Sequence, residues 1–303
     1  MQPIEWRSAD AAALLSAPTA TSHKYTRGVL GLRTGSNAYP GAAVLGAEAA
    51  WRTGIGLVCY FAPHEEAAPA LGLPTPAAAI LAKRPETVFS QDFDKDQARC
   101  DAWLIGSGTD PARRGPAEQQ ALLALLAGTA PIVVDAGALD LVAQHQPQAA
   151  TIITPHRGEF NRLWVASGLD PVGLTERETA ELAPMLASTL NATVLLKGAI
   201  TVAAAPSGEV YAYGPATPWL ATAGTGDVLA GILGALATTH ALRARSDGPL
   251  LAQLGVTAAL LHDTAARLAS GDPKAHGEGA AITAFDVAEK LPRAVQLVRS
   301  EIS

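Results

Sequence analysis

Ala221-Thr222-Ala223-Gly224-Thr225-Gly226-Asp227 runs directly into Val228-Leu229-Ala230-Gly231-Ile232-Leu233-Gly234-Ala235-Leu236, and the fold is read outward from this junction. Small residues give way at once to a helical apolar pattern, so the glycines stand at a helix N-terminus with unpaired amides pointing outward. That is an anion site. Two glycines let the backbone approach a bulky phosphate, and Asp227 in the first turn can take a proton from an attacking hydroxyl. The helix dipole alone also favours an acid there, so the motif by itself is ambiguous.

The 303 residues are 49% hydrophobic, enough for a sizeable core. No repeat, linker or composition break interrupts them. The reading is therefore one domain over 1–303, with 1–22 as an alanine-rich surface lead-in. A formal charge of -6 without a basic run argues against nucleic acid or an anionic membrane as main partner. The N-terminus lacks a basic start followed by an apolar core, and no later stretch reaches about eighteen uninterrupted apolar residues. A cytoplasmic protein is expected. Cys59 and Cys100 lack metal-knuckle spacing and read as buried free thiols.

Along the chain, short apolar runs end repeatedly in polar or glycine-bearing loops that feed helices. Val29 to Arg33 leads through Gly35-Ser36 and Pro40-Gly41 into a helix over Ala42 to Thr53, stopped by Gly54. Leu57 to Phe61 is a buried strand. Residues 62 to 97, rich in proline, read as peripheral. Asp101 to Ile105 stops on Gly106-Ser107-Gly108, and Pro116 to Leu126 reads as a helix. Pro131 to Val134 stops on Asp135, and Thr151 to Thr154 on Pro155-His156-Arg157-Gly158-Glu159. Helical Thr175 to Leu190 leads to Thr193–Leu196, and Thr201–Ala204 pairs with Val210–Tyr213 as a hairpin. Helices follow at Pro249 to Ala269 and from a Thr283 cap to Ser300. This pattern predicts an α/β fold: a mostly parallel central sheet flanked by helices on both faces, with one functional edge.

If those loops converge, the parts form a phosphoryl-transfer set. Gly224, Thr225 and Gly226 offer amides, Lys197-Gly198-Ala199-Ile200-Thr201 a cation and a hydroxyl-bearing turn, and Asp227 the base. The Walker spacing and protein-kinase signatures are absent, as is a dinucleotide Gly-x-Gly-x-x-Gly in the first β-α unit. Ser36 and Ser107 lie in no nucleophile elbow. Phosphoryl transfer calls for Mg²⁺, with Glu159 or Asp135 as the available acids, acting through water. His156 at a strand end is placed to hydrogen-bond a substrate hydroxyl or carboxamide. His23, His64, His145, His240, His262 and His276 show no zinc spacing, and Trp219 precedes the central motif closely enough to touch a ligand.

Taken in order over roughly residues 23 to 295, these stretches resemble the ADP-dependent NAD(P)H-hydrate dehydratases, a nicotinamide-repair family with a ribokinase-like, three-layer fold. The resemblance rests on His23-Lys24 with Arg27-Gly28, Gly35-Ser36, Pro40-Gly41-Ala42-Ala43, Gly54-Ile55-Gly56-Leu57-Val58, Gly106-Ser107-Gly108, Val134-Asp135-Ala136, Thr154 to Glu159, Leu196 to Ala199 with Thr201, and Leu220 to Gly231. It implies dehydration of the S-epimer of hydrated NADH or NADPH, with ADP cleaved to AMP and phosphate. Under it, Asp227 is the base, and Gly224, Thr225 and Gly226 hold the developing phosphate charge. Lys197, Gly198, Ala199, Ile200 and Thr201, with Gly226, form the AMP-binding stretch, while Ala42, Gly108, His156 and Asp227 face the hydrated nicotinamide. His156 stands where the wider group has an asparagine before its Mg²⁺-associated acid, here Glu159. Gly106 to Asp110 departs from the longer glycine run of relatives. The resemblance further implies a homotetramer. Because the residues before His23 are too few for a fused epimerase domain, a separate epimerase is expected. Two other functions share parts of this pattern: a ribokinase-like kinase for a hydroxyethylthiazole or hydroxymethylpyrimidine precursor, and a non-catalytic nucleotide sensor. His156 and the Pro40 to Ala43 loop favour the dehydratase over the first; intact Asp227 and Lys197 count against the second.

Overall fold

The computed structural model describes residues 2–65, 70–170, 176–272 and 278–302. Among these, ten strands build one sheet: β1 (Ile4–Glu5), β2 (Val29–Arg33), β3 (Leu57–Tyr60), β4 (Val88–Phe89), β5 (Ala102–Ile105), β6 (Ile132–Val134), β7 (Thr151–Ile153), β8 (Thr193–Leu196), β9 (Thr201–Ala204) and β10 (Val210–Tyr213). Their order is β1-β10-β9-β8-β7-β6-β5-β2-β3-β4. Neighbours run parallel except where β9 lies antiparallel to both β8 and β10. From β2 the chain first moves outward through β3 to β4, then returns to β5 on β2's other side. The order of winding reverses between β2 and β5, and a ligand crevice opens at such a reversal in an α/β sheet.

The helices are α1 (Ser8–Ala12), α2 (Pro40–Thr53), α3 (Pro76–Lys83), α4 (Phe93–Asp96), α5 (Pro116–Leu126), α6 (Leu139–Gln144), α7 (Arg157–Ala166), α8 (Glu176–Leu190), α9 (Thr225–Thr239), α10 (Ala241–Ala244), α11 (Leu250–Ser270) and α12 (Ala284–Arg299). Strand side chains alternate between two cores, as the period of two requires. Leu30, Leu104, Val133, Ile152 and Leu195 pack with α2, α9, α11 and α12. Val29, Ile105, Ile132, Ile153 and Val194 pack with α5, α6, α7 and α8. The result is the expected three-layer α/β arrangement, and the helix boundaries read from Pro116, Gly54 and Thr283 are those observed. Thr175, His276 and their neighbours lie outside the described residues. Cys59 and Cys100 are buried and free. Among the described residues no helix is long and apolar enough to cross a membrane.

Helix α9 is buried without a break from Val228 to Thr238, because it lies between the sheet and α2, α11 and α12. Its closest partner is α2. A β-carbon at Gly231 would lie 2.4 Å from the Gly46 carbonyl oxygen, so two glycines permit near backbone contact of these helices.

The lead-in segment differs from its reading. Residues 4–15 join the body of the fold, while 16–22 lie at the surface: Ile4–Glu5 pairs parallel with β10, and Trp6, Ala11, Ala12, Leu14 and Leu15 are buried. The Trp6 indole donates to Thr257 Oγ1 at 3.0 Å and meets the Tyr211 ring edge to face. Otherwise β10 would leave a row of backbone groups unpaired at the sheet edge, a long-range need that an alanine-rich local pattern does not reveal.

Gly231→Ala should force α2 and α9 apart and lower stability by about 1–3 kcal/mol. Gly41→Ala, where an added β-carbon meets nothing within 4 Å, should instead raise stability by about 0.4–1 kcal/mol. Urea unfolding midpoints distinguish the two; equal midpoints would contradict the close helix approach.

Candidate active site

The crevice at the winding reversal is lined by the loops that follow β2 and β5. The Gly35 amide donates to the Ser107 carbonyl at 2.7 Å, which ties the loops together. Gly108, at φ +67°, lies so near the start of α2 that a β-carbon on it would stand 2.3 Å from that of Ala42. The fold thus brings Ala42 and Gly108 side by side. One turn further along α2, a β-carbon on Gly46 would stand 3.9 Å from the Asp227 carbonyl oxygen, so the start of α9 borders the same crevice.

Gly224 caps α9 at φ +86°, a backbone conformation that side chains disfavour, and a β-carbon there would lie 2.7 Å from Leu45 Cδ1. No side chain caps this helix start. Thr225 differs from the simple picture of a phosphate-facing hydroxyl. Its Oγ1 donates back to the Leu220 and Thr222 carbonyls at 2.9 and 2.8 Å, and its amide leans on the Thr222 carbonyl at 3.4 Å, so Thr225 holds the preceding turn.

Asp227 follows in the first turn. Burial, then the charge of Asp135, push its carboxyl up to about 7, with the Lys197 ammonium pulling the other way. A carboxyl with that affinity exchanges its proton near neutral pH.

Asp135, at the end of β6, is buried and takes donors on both oxygens. Ser107 Oγ donates to one oxygen at 2.8 Å; Thr154 Oγ1 and Lys197 Nζ donate to the other at 2.6 and 3.0 Å. Burial alone would raise this carboxyl, but Lys197 and the hydrogen bonds outweigh it and hold it below the usual range. Two of these donors meet Oδ1 and one meets Oδ2, so Asp135 serves first as an acceptor for its strand neighbours. Lys197 stays charged for the converse reason, since Asp135 and then Glu159 offset the cost of burial. Its Nζ stands 4.0 Å from Glu159 Oε2 and 3.9 Å from where a Gly226 β-carbon would be, at the foot of α9.

His156 and Glu159 form the start of α7 in a reciprocal cap. The Gly158 and Glu159 amides donate to His156 Nδ1 at 3.0 and 3.4 Å, and the His156 amide donates to Glu159 Oε2 at 2.9 Å. Nδ1 therefore carries the lone pair, and the exposed Nε2, 3.5 Å from Glu159 Oε2, is the edge left for a ligand. Beside this cap a cavity of about 1200 Å³ opens, lined by His156, Lys197, Gly198, Ala199, Ile200 and Tyr213 among others. Thr201, the first residue of β9, turns its Oγ1 toward the Gly198 carbonyl at 3.5 Å.

The two loops flanking Lys197 and Gly226 are tied to each other. Ala216 donates its amide to the Ala199 carbonyl at 2.9 Å. Asp263, fully buried on α11, accepts from the Thr217 amide and the Tyr213 hydroxyl, both at 2.7 Å, and from Arg267. Burial also pushes the neighbouring His262 down to about 4, leaving an uncharged ring behind Thr225. Asp263 and Thr217 were not singled out from sequence, and Ser107, Thr154 and Tyr213 were read there without the partners they have in the fold. One signal was available: His262-Asp263 are the sole titratable residues between Leu250 and Ala266, an apolar run in which a charge must find buried partners. The Trp219 indole N–H is buried with no partner among the described residues.

Comparison with known proteins agrees with this architecture. Residues 30–293 match the family model described as NAD(P)H-hydrate dehydratase. The chain is 39% identical over 239 residues to the bifunctional NAD(P)H-hydrate repair enzyme Nnr of Mycobacterium tuberculosis, covering 77% of this chain and 46% of that one. It spans about half the length of such bifunctional relatives. Against the ADP-dependent (S)-NAD(P)H-hydrate dehydratase of Bacillus subtilis it is 31% identical over 294 residues, covering 95% and 96% of the two chains. The crystal structure of the Bacillus subtilis ADP/ATP-dependent dehydratase, co-crystallised with ATP and Mg²⁺, superposes with a TM-score of 0.78 at 30% identity over 98% of this chain and 99% of that one. Matched along most of its length by both sequence and fold, the chain belongs to the NAD(P)H-hydrate dehydratase family.

Proposed function

We propose that residues 1–303 act as one ribokinase-like unit that dehydrates the S-epimer of hydrated NADH or NADPH at the expense of ADP, releasing AMP and phosphate. The observation that carries this reading is Asp227: a carboxyl poised near neutrality in the first turn of a helix whose N-cap is a glycine, with no side-chain cap. The substrate hydroxyl gives its proton to Asp227 as its oxygen bonds to the terminal phosphorus of ADP. The bond from that phosphorus to the bridging oxygen breaks, and AMP leaves. The Gly224, Thr225 and Gly226 backbone and the α9 dipole meet the charge that grows on the transferred group. Departure of phosphate, with its electron pair, and loss of a ring proton then restore the double bond.

Lys197, with Gly198 to Ile200, borders the cavity assigned to the adenine nucleotide, and its ammonium faces the diphosphate end. Ala42 and Gly108, small residues side by side, border the crevice assigned to the nicotinamide ring, and His156 offers Nε2 at the cavity rim. Among the described residues no three His, Cys, Asp or Glu side chains converge on a point. This fits Mg²⁺ held mainly by phosphate oxygens and water, with Glu159 as its protein acid. The ion, when bound, offsets negative charge along the diphosphate.

Incubation of hydrated NADH with ADP and Mg²⁺ tests the reading: the reduced nicotinamide chromophore should return as AMP forms. Asp227→Asn should keep ADP affinity and lose about 10²- to 10⁴-fold in turnover; near-normal turnover would remove the proposed base. Because the base acts ionised, kcat/KM should fall about tenfold per pH unit below a midpoint near 7, and a profile flat to about pH 5 contradicts it.

Stability should move the opposite way. The folded carboxyl binds its proton more tightly than the unfolded one, so its ionisation weakens the fold as pH rises from about 4 to about 7, and the cost is complete above that. Asp227→Asn should therefore unfold at a higher urea concentration than the parent at about pH 8, with the gain shrinking at about pH 5.

A further inference from the structure

The carboxylate at the end of β6 lies outside the set that meets nucleotide or nicotinamide in the reading above, yet it gathers side-chain donors from three neighbouring strand ends. Ser107 at the end of β5, Thr154 at the end of β7 and Lys197 at the end of β8 all donate to Asp135, which is 3% exposed. Two of these partners are hydroxyls, one on each oxygen. The third partner is the Lys197 ammonium, which also stands at the foot of α9 beside Gly226 and Asp227.

We propose that Asp135 is a positioning residue for the reaction: by holding the Lys197 ammonium at the foot of α9 and adding its own charge nearby, it sets how firmly Asp227 holds a proton. The inference rests on Asp227 being the base and names what tunes it. The two charges act in opposition on the Asp227 carboxylate, Asp135 disfavouring ionisation and Lys197 favouring it. Were Lys197 free of Asp135, it could swing to pair with Asp227 and hold it as a weak base. Anchored by Asp135, it stays available to a diphosphate.

Among the described residues, Asp135 and Lys197 are the charges that act on the Asp227 carboxyl. Helix α2 brings Gly46 to the Asp227 carbonyl, and Leu45 and Ala284 pack against the preceding Gly224. Helix α11 brings His262, kept uncharged by burial. Glu159 on α7 faces Lys197 at 4.0 Å. Control of the proton therefore falls to the pair at the ends of β6 and β8.

The test follows the Asp227 carboxyl directly, by ¹³C NMR titration of aspartate-labelled protein with Asp227→Asn as the assignment control, and kcat/KM against pH in parallel. Asp135→Asn keeps an acceptor and a similar shape but removes the charge; the Asp227 midpoint should fall by about one pH unit or more. Lys197→Met should raise it. The double variant Asp135→Asn with Lys197→Met leaves no buried charge unpaired and should return the midpoint toward that of the parent. It and Lys197→Met carry the test should Asp135→Asn alone not fold. Midpoints that stay within about 0.3 unit of the parent, or that move the same way in both single variants, overturn the inference even if turnover is lost, since loss without a shift is a structural effect. If instead the midpoints move as stated while the parent fails to dehydrate hydrated NADH, the proposed reaction is wrong and the charge coupling stands.

Discussion

One buried carboxylate joins the carboxyl ends of four neighbouring strands. Asp135 receives Ser107 from β5, Thr154 from β7 and Lys197 from β8 while itself ending β6. An ionised carboxyl in an interior is costly unless both oxygens have donors and an opposite charge stands close. Here both conditions hold, and meeting them fixes where the strand ends lie relative to one another. The crevice, the cavity and the foot of α9 are arranged around that point.

The second constraint is the close pairing of α2 with α9. Gly46 and Gly231 bring the two backbones together, which sets the start of α9 next to the start of α2 and beside Gly108. Gly224 then turns the chain so that the first α9 amides face outward rather than into a cap. Burial by these same neighbours is the largest cause of the raised proton affinity of Asp227. Packing and acid-base character thus share an origin: the helices that exclude water from the carboxylate also disfavour its charge.

The sheet's far edge shows how a local reading fails. An alanine-rich N-terminal stretch has weak periodicity, and nothing near it in sequence signals that β10 needs a parallel neighbour or that Thr257, two hundred and fifty-one positions away, will accept from Trp6. The same limit applies to His156 and Asp135. Both were legible as polar residues at strand ends, the place where an α/β sheet keeps its chemistry. Which of them would face a ligand and which would serve another side chain depended on distances across strands.

What the sequence alone determined is the layered α/β fold, its functional edge, the helix start at Gly224 to Asp227 and the Lys197 turn. These follow from local causes: alternation along strands, glycine where φ must be positive, helix periodicity and the ordered run of motifs. Only the tertiary structure decided that Asp135 anchors Lys197, that Thr225 turns its hydroxyl backward, that His156 caps α7 through Nδ1 and that residues 4–15 belong to the body of the fold. The physical reason is common to all four. A polar group's role is set by which donors and acceptors lie within about 3 Å of it, and that neighbourhood is assembled from segments whose separation along the chain carries no trace of their meeting.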